Sequence, residues 1–334
     1  MKNIAKILIS LTLIFAFALT FVACDTPNND ENNNGTAEPT GTVNIATLNG
    51  TTGFGMAKLM SDAKDSDSAL KYNIEVQSDA AVINAALISG ELDIATLPTN
   101  AAANLYAKTN GGIKILAVNT LGVLYVIANE ENSNIKTLSD LEGKTVYCPA
   151  QNPAFIFEAI CRESGVNVTI DTAYAQPADL RTAVASGLVD LAVLPEPMVT
   201  IAKSSNDKLV TSLDLTEEWE RVYGENTLMQ GCIVVRTRWA EEHPEELDEF
   251  LKAYKESVEY TVANPTDAAE LIVSAGVFAG KAPVAARAIP NCNIVYIDGD
   301  DMARDLSVFF EKLYSVNPAA VGGTLPDSEI YLEK

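Results

Sequence analysis

Two ten-residue stretches of this chain share one pattern: SGELDIATLP at residues 89–98 and SGLVDLAVLP at residues 186–195. Both read S-G-x-x-D-x-A-x-L-P, and they are separated by an offset of 97 residues. In each stretch the glycine is typical of the left-handed residue that ends a helix, and the proline is typical of the end of a strand. The repeat therefore predicts two similar α/β units in place of one long sheet.

The segments around each stretch alternate short apolar strands with helices. The predicted strands are residues 43–48, 72–76 and 93–97 in the first unit, and 145–148, 168–171 and 190–194 in the second. The predicted helices are residues 54–60, 80–89, 154–164 and 178–186, with a later helix that Thr266 is expected to cap. This alternation predicts an α/β fold with two Rossmann-like lobes, whose sheets carry helices on both faces.

The N-terminal residues have the pattern of an export signal. Lys2 and Lys6 precede an uncharged run at residues 7–23, which is short for a membrane span and suits the apolar part of a signal peptide. The run ends in FVAC at residues 21–24, which resembles the lipobox of bacterial lipoproteins, although Phe21 replaces the usual leucine. The resemblance implies a signal peptide over residues 1–23 and lipidation of Cys24. A plain signal peptide that happens to contain a cysteine is the alternative.

The composition excludes several classes of function. The 334 residues include 23 Lys and Arg against 45 Asp and Glu, a formal charge of −22, which argues against nucleic acid or an anionic membrane surface as a partner. Residues 25–41 are almost without aliphatic side chains, so residues 24–41 are predicted to be a flexible tether. The membrane contact is therefore expected through the lipid anchor alone.

Catalysis and cofactor binding have little support in the sequence. His243 is the single histidine, so sites built from several histidines are excluded, and no metal site or catalytic residue is predicted. GTTGFG at residues 50–55 has the reverse spacing of a dinucleotide fingerprint, and GKT at residues 143–145 precedes a strand, so no cofactor is expected. Four further cysteines show no metal-binding spacing; paired disulfides and buried thiols both remain open: Cys148, Cys161, Cys232 and Cys292.

The order of these features resembles a known family. One helix, S-G-x-x-D, strand and proline unit per lobe, together with TLSDLEGKTV at residues 137–146, is similar to the type 2 periplasmic binding proteins of ABC transporters. The similarity is greatest to the sulfonate, taurine, nitrate and thiamine-precursor group. It implies mixed, mostly parallel sheets joined by a two-strand hinge. Lobe I is expected at residues 42–128 plus 232–334, and lobe II at residues 129–231.

The same resemblance implies a function. We expect an exported, lipid-anchored and monomeric solute-binding protein, not an enzyme. It would capture a small organic ligand by hinge closure and deliver it to the permease and ATPase of an ABC importer. One alternative is an extracytoplasmic ligand sensor of the same fold. Another is an enzyme of the menaquinone or thiamine-precursor type, which the export signal disfavours.

The ligand is expected where the two lobes face each other, beyond the carboxyl ends of the strands. Five loops follow predicted strands or precede the first crossover, and the corresponding loops of the resembling family contact the ligand. The candidate ligand-binding residues are Asn49, Gly50, Thr51, Thr52, Thr99, Asn100, Asn119, Thr120, Gly122, Gln151, Asn152, Pro153, Glu196 and Pro197.

The chemistry of these loops suggests a type of ligand. They contain no Lys or Arg, and Glu196 suits an amine or another group rich in donors. Residues 151–153 (QNP) also differ from the Gly-Ser pair of many relatives, which argues against a simple sulfonate or nitrate. The expected ligand is a small organic molecule, neutral or zwitterionic, with a ring possible in its structure.

Overall fold

The computed structural model describes residues 40–65 and 67–332. The predicted signal peptide, Cys24 and all but the end of the predicted tether lie outside these residues. The strands are β1 (Gly41–Leu48), β2 (Leu70–Gln77), β3 (Ile94–Pro98), β4 (Ile113–Thr120), β5 (Leu124–Ala128), β6 (Thr145–Tyr147), β7 (Thr169–Asp171), β8 (Leu191–Pro195), β9 (Val210–Asp214), β10 (Gly231–Arg236) and β11 (Ile294–Ile297).

The helices follow the strands closely along the chain. They are α1 (Thr51–Phe54), α2 (Ala57–Asp65), α3 (Ala80–Ser89), α4 (Thr99–Thr109), α5 (Asn152–Glu163), α6 (Pro177–Ala185), α7 (Met198–Ser205), α8 (Leu215–Tyr223), α9 (Thr237–Glu242), α10 (Pro244–Ala263), α11 (Pro265–Ser274), α12 (Ala282–Ala288) and α13 (Gly299–Val316). Short 3₁₀ turns occur at Glu130–Asn132, Leu138–Leu141, Ile289–Asn291, Pro318–Val321 and Ser328–Ile330.

Two mixed sheets organise the described chain. The first sheet has the order β11-β4-β10-β3-β1-β2, and the second has the order β7-β6-β8-β5-β9. β1 pairs in parallel with β2 and β3, and β6 pairs in parallel with β7 and β8. β5 and β10, which lie inside the two sheets, run antiparallel to both neighbours. The predicted α/β fold class with two mixed sheets is confirmed, although four strand pairings are parallel and five are antiparallel in the described chain. The exact domain limits stay a prediction.

The repeated motif has the predicted local geometry in both sheets. Gly90 is the left-handed residue that ends α3, with φ of 83°, and Gly187 after α6 has φ of 75°. The carboxylate of Asp93 accepts hydrogen bonds from the Asn44 backbone N–H at 2.9 Å and from Arg236 at 2.8 Å. The motif therefore joins the edges of β1 and β10 to the start of β3.

Two helix predictions were wrong in detail. The predicted helix over residues 54–60 is broken at residues 55–56 into α1 and α2. At the break the Ser257 hydroxyl donates to the Gly55 carbonyl at 2.6 Å and accepts from the Leu59 N–H at 2.9 Å, so a side chain replaces the helical bond between these two backbone groups. The cap expected at Thr266 lies at Asn264, and Pro265 occupies the first turn of α11, where its missing N–H costs nothing.

The largest apolar core connects helices from both sheets. Phe309 and Leu313 of α13 lie in the same buried cluster as Phe157 and Ile160 of α5, although α13 follows the last strand of the first sheet. Within residues 40–65 and 67–332, no helix has the length and apolar character needed to cross a bilayer. The four cysteines named above are free and buried.

Candidate functional site

Six of the fourteen predicted site residues belong to the first turns of helices that follow strands, and not to loops. Thr51 and Thr52 begin α1, Thr99 and Asn100 begin α4, and Asn152 begins α5. Pro153 is the second residue of α5. The remaining strand-end positions flank α1, α5 and α7: Asn49, Gly50, Gln151, Glu196 and Pro197. Where a helix begins directly after a strand, the free backbone N–H groups of its first turn can bind a ligand.

Three predicted residues at the end of β3 and β4 are buried and hydrogen-bonded within the chain. Asn119 donates to the Thr52 carbonyl at 3.0 Å and to the Tyr254 hydroxyl at 2.9 Å. The Thr120 hydroxyl bonds to Asn119 at 3.0 Å, and the Thr99 hydroxyl donates to the Met229 carbonyl at 2.6 Å. The structure thus brings Thr52, Asn119 and Thr120 together; ligand contact by these residues stays a prediction.

Gly122 lies where the chain first crosses between the sheets. Its carbonyl accepts a hydrogen bond from the Asn293 side chain at 2.6 Å. A Cβ on Gly122 would lie 2.2 Å from the Thr216 hydroxyl oxygen and 2.6 Å from a methyl carbon of Leu228. The crossing is therefore packed too closely for any residue larger than glycine.

Gln230, which is not among the predicted site residues, connects the two crossings between the sheets. Its carbonyl accepts from the Thr99 N–H at 3.1 Å, and its own N–H donates to the Thr120 carbonyl at 3.0 Å. Its side-chain oxygen accepts from the Val123 N–H at 2.8 Å. Because these bonds form only between segments far apart in the chain, no local motif marks this residue.

The start of α5 carries a polar atom without a partner. Gln151 precedes the helix with φ of 65° and makes no side-chain cap. The side-chain oxygen of Asn152 is buried and has no hydrogen-bond partner among the described residues. Since buried polar atoms are normally satisfied, this oxygen is a candidate acceptor for a ligand donor.

Glu196 is 3% exposed and lies between β8 and α7. Its carboxylate accepts from the Thr200 N–H at 3.1 Å and from the Thr200 hydroxyl at 2.9 Å. Burial raises the pKa of Glu196 above its ordinary value, while the bonds from Thr200 and from the Asn291 side chain, and the charge of Lys203, oppose that rise. Part of its role is thus to cap α7.

A pocket of about 510 Å³ opens beside Glu196, and we call it the Glu196 pocket. Its lining residues are Tyr125, Glu196, Val199, Thr200, Lys203, Ser204, Thr211, Arg287 and Asn291. The first seven belong to β5, β9 and the β8–α7 segment of the second sheet, and the last two to α12 and the 3₁₀ turn before β11 of the first sheet. Its volume is within the range typical of ligand sites.

The charges of this pocket differ from those predicted. Glu196 is the member of the predicted set that lines it, whereas Lys203 and Arg287 lie outside the five predicted loops. Positive charge therefore reaches the pocket from helices that the loop analysis did not include. Among the described residues, no group of three or more His, Cys, Asp or Glu side chains is arranged to hold a metal ion.

Two sheets of this topology, with a pocket lined from both, define the fold of the periplasmic binding proteins. The chain belongs to the NMT1/THI5-like family, whose model matches residues 66–268. The predicted resemblance is thereby confirmed at the level of fold and family. No curated protein sequence matches the chain.

Solved structures share the fold at low sequence identity. A protein described as an ABC transporter from Parabacteroides distasonis is 24% identical with a TM-score of 0.74, over 88% of this chain and 99% of that one. The periplasmic aliphatic sulphonate-binding protein SsuA from Escherichia coli is 17% identical with a TM-score of 0.69, over 88% and 92%. The alkanesulfonate-binding SsuA from Xanthomonas axonopodis pv. citri, bound to MOPS, is 14% identical with a TM-score of 0.64, over 87% and 96%.

Proposed function

We propose that this chain is an extracytoplasmic solute-binding protein. It captures a small organic molecule, neutral or zwitterionic, between its two sheets and delivers it to the permease of an ABC importer, which an ATPase drives. The observation that carries the proposal is the Glu196 pocket, whose walls come from both sheets. A ligand that touches both walls favours the arrangement in which they are close, so binding and closure are coupled.

The proposed contacts divide into two groups. Glu196 is proposed to contact the ligand directly, because it lines the pocket. Thr51, Gln151 and Asn152 do not line the pocket, and they are proposed to reach the ligand on closure, because they lie at the strand ends where ligands bind in this type of fold. Thr99, Asn119 and Thr120 are buried and hold the first sheet to the crossings, and Gly122 allows the crossing itself. These four residues would hold the backbone around the ligand site in place without contacting the ligand.

The membrane location is a separate proposal. Cys24 would be acylated and would anchor a monomer to the outer face of the cell membrane through residues 24–41. Metabolic labelling of the full chain with a radioactive fatty acid tests this, with Cys24→Ser as the comparison. Label that persists in Cys24→Ser would contradict the anchor and leave the binding proposal unaffected.

The binding proposal is tested by a thermal-shift screen of the protein stripped of ligand by reversible unfolding. The panel contains sulfonates, nitrate, thiamine precursors, riboflavin, amino acids and aromatic carboxylates. A ligand at 100 times its Kd adds about 2.7 kcal/mol to the stability of the folded state, which is several degrees in melting temperature. Mass spectrometry of the recovered ligand then shows whether it is unchanged.

Glu196→Gln is expected to weaken binding of a hit, and Glu91→Gln, at an exposed position of the first repeat, is the matched control. Equal affinity in both variants would remove Glu196 from the site. Conversion of the hit to a product would replace the transport proposal with an enzymatic one. A panel without any hit would contradict the proposed ligand class.

A further inference from the structure

Two cations line the Glu196 pocket, and they come from two different helices. Lys203 lies on α7 and donates to the Thr211 hydroxyl at 3.1 Å, while Arg287 lies on α12 and donates to the Ser204 hydroxyl at 3.0 Å. The Arg287 bond joins an element of the first sheet to α7. Each side chain keeps further donors, since lysine has three and arginine five.

Neither cation forms an ion pair in the described part of the chain, although the charge of Lys203 acts on Glu196 from a longer distance. The ion pairs there involve other basic residues, although acidic side chains outnumber basic ones by 45 to 23. Two cations that bond only to hydroxyls and line one pocket are suited to an anion. The planar fork of arginine matches a carboxylate especially well.

Glu196 supplies the opposite charge in the same pocket. The two bonds from Thr200 and the one from Asn291 use three of about four acceptor positions of its carboxylate. One position remains for a donor on a ligand. The pocket therefore contains an acceptor beside two cationic donors, within a volume of about 510 Å³.

We infer that the ligand is a small amino-carboxylate zwitterion. Its carboxylate lies between Lys203 and Arg287, and its ammonium or amidinium group lies against Glu196. The inference rests on the proposed function and names the ligand of that site. Because Lys203 and Arg287 belong to elements of different sheets, the carboxylate of the ligand joins the two sides of the pocket.

The test uses isothermal titration of the stripped protein with probes of defined charge. The zwitterionic probes are β-alanine, γ-aminobutyrate, 5-aminovalerate and p-aminobenzoate, and the matched single-charge probes are butyrate and butylamine. We expect at least one zwitterion to bind more tightly than butyrate and butylamine, and added salt to weaken it because the cations are exposed. Lys203→Met and Arg287→Gln should each weaken binding by about tenfold.

Lys281→Met is the matched control, because Lys281 is an exposed residue at the other end of α12. Both pocket variants replace exposed side chains, so circular dichroism should show an unchanged fold. Equal binding of butyrate and the zwitterions would overturn the inference, as would unchanged affinity in Lys203→Met and Arg287→Gln. A neutral compound from the wider screen that binds with the same affinity to Lys203→Met, Arg287→Gln and the unchanged protein would overturn the inference and leave the proposed function intact. An absence of binding by every compound would overturn both.

Discussion

Replacement of Asp93 by alanine should destabilise the protein strongly, because this carboxylate joins three strands. It is 6% exposed and accepts hydrogen bonds from the Asn44 N–H at 2.9 Å and from Arg236 at 2.8 Å. Arg236 also donates to the Leu92 carbonyl at 2.8 Å. The substitution leaves one backbone donor and one partly buried guanidinium without their carboxylate.

The expected loss follows from these contacts. A hydrogen bond to a charged group contributes about 1.5–3 kcal/mol, and removal of one partner of a fully buried ion pair costs about 3–5 kcal/mol. The Arg236 side chain is 23% exposed, so water replaces part of what it loses. We therefore expect Asp93→Ala to lower the free energy of unfolding by about 3 kcal/mol.

The second repeat supplies the control for this experiment. Asp190 occupies the equivalent position, is exposed, and accepts one side-chain hydrogen bond, from Asn129 at 2.7 Å. Asp190→Ala should lower the free energy of unfolding by about 0.5–1 kcal/mol. Urea unfolding followed by the fluorescence of Trp219 and Trp239 measures both variants, and circular dichroism tests whether the transition is two-state. If the two variants lose similar free energies of unfolding, then the burial of Asp93 and its pairing with Arg236 do not account for its contribution to stability.

Three further outcomes are expected. Because burial raises the pKa of Glu196 above 4.5, the folded state holds this proton more tightly than the unfolded state, so stability falls as pH rises through the window above 4.5. Glu196→Gln should reduce that decline in urea unfolding between pH 4.5 and 7; an unchanged slope would contradict it. Gly122→Ala should lower the free energy of unfolding by about 1–3 kcal/mol, because the added methyl group overpacks against Thr216. Thr216→Ala in the same protein should restore part of that free energy. If the double variant is no more stable than Gly122→Ala, Thr216 is not the residue that clashes. The four buried thiols should resist alkylation in the folded protein and react in urea, since burial raises their pKa values, as peptide mapping would show.

The sequence predicted the repeated elements well because their signals are local. The limits of α3 agree with the prediction, since Gly90 ends this helix by its own backbone preference. The break between α1 and α2 was missed, because it depends on the Ser257 hydroxyl, which comes from a helix about 200 residues further along the chain.

The site was predictable only where it follows a strand. Glu196 follows β8 and was found on that basis, whereas Lys203 and Arg287 enter the same pocket from the last turns of α7 and α12. Gln230 could not be predicted for the same reason, since its three hydrogen-bond partners lie on segments separated from it in sequence. These positions become visible only when the two sheets are assembled.

The position of β10 has a consequence for the order in which the chain acquires structure. β10 separates β3 from β4, so the hydrogen-bond ladder of the first sheet is interrupted until residues 231–236 have been synthesised. The hydrogen-bond ladder of the second sheet uses only strands between residues 124 and 214, although α13 later adds Phe309 and Leu313 to the core beside it. Since a nascent chain emerges N-terminus first, the strand ladder encoded in the middle of the gene can be completed earlier than the ladder that begins at residue 41. The first sheet must meanwhile keep two unpaired strand edges available for a late insertion.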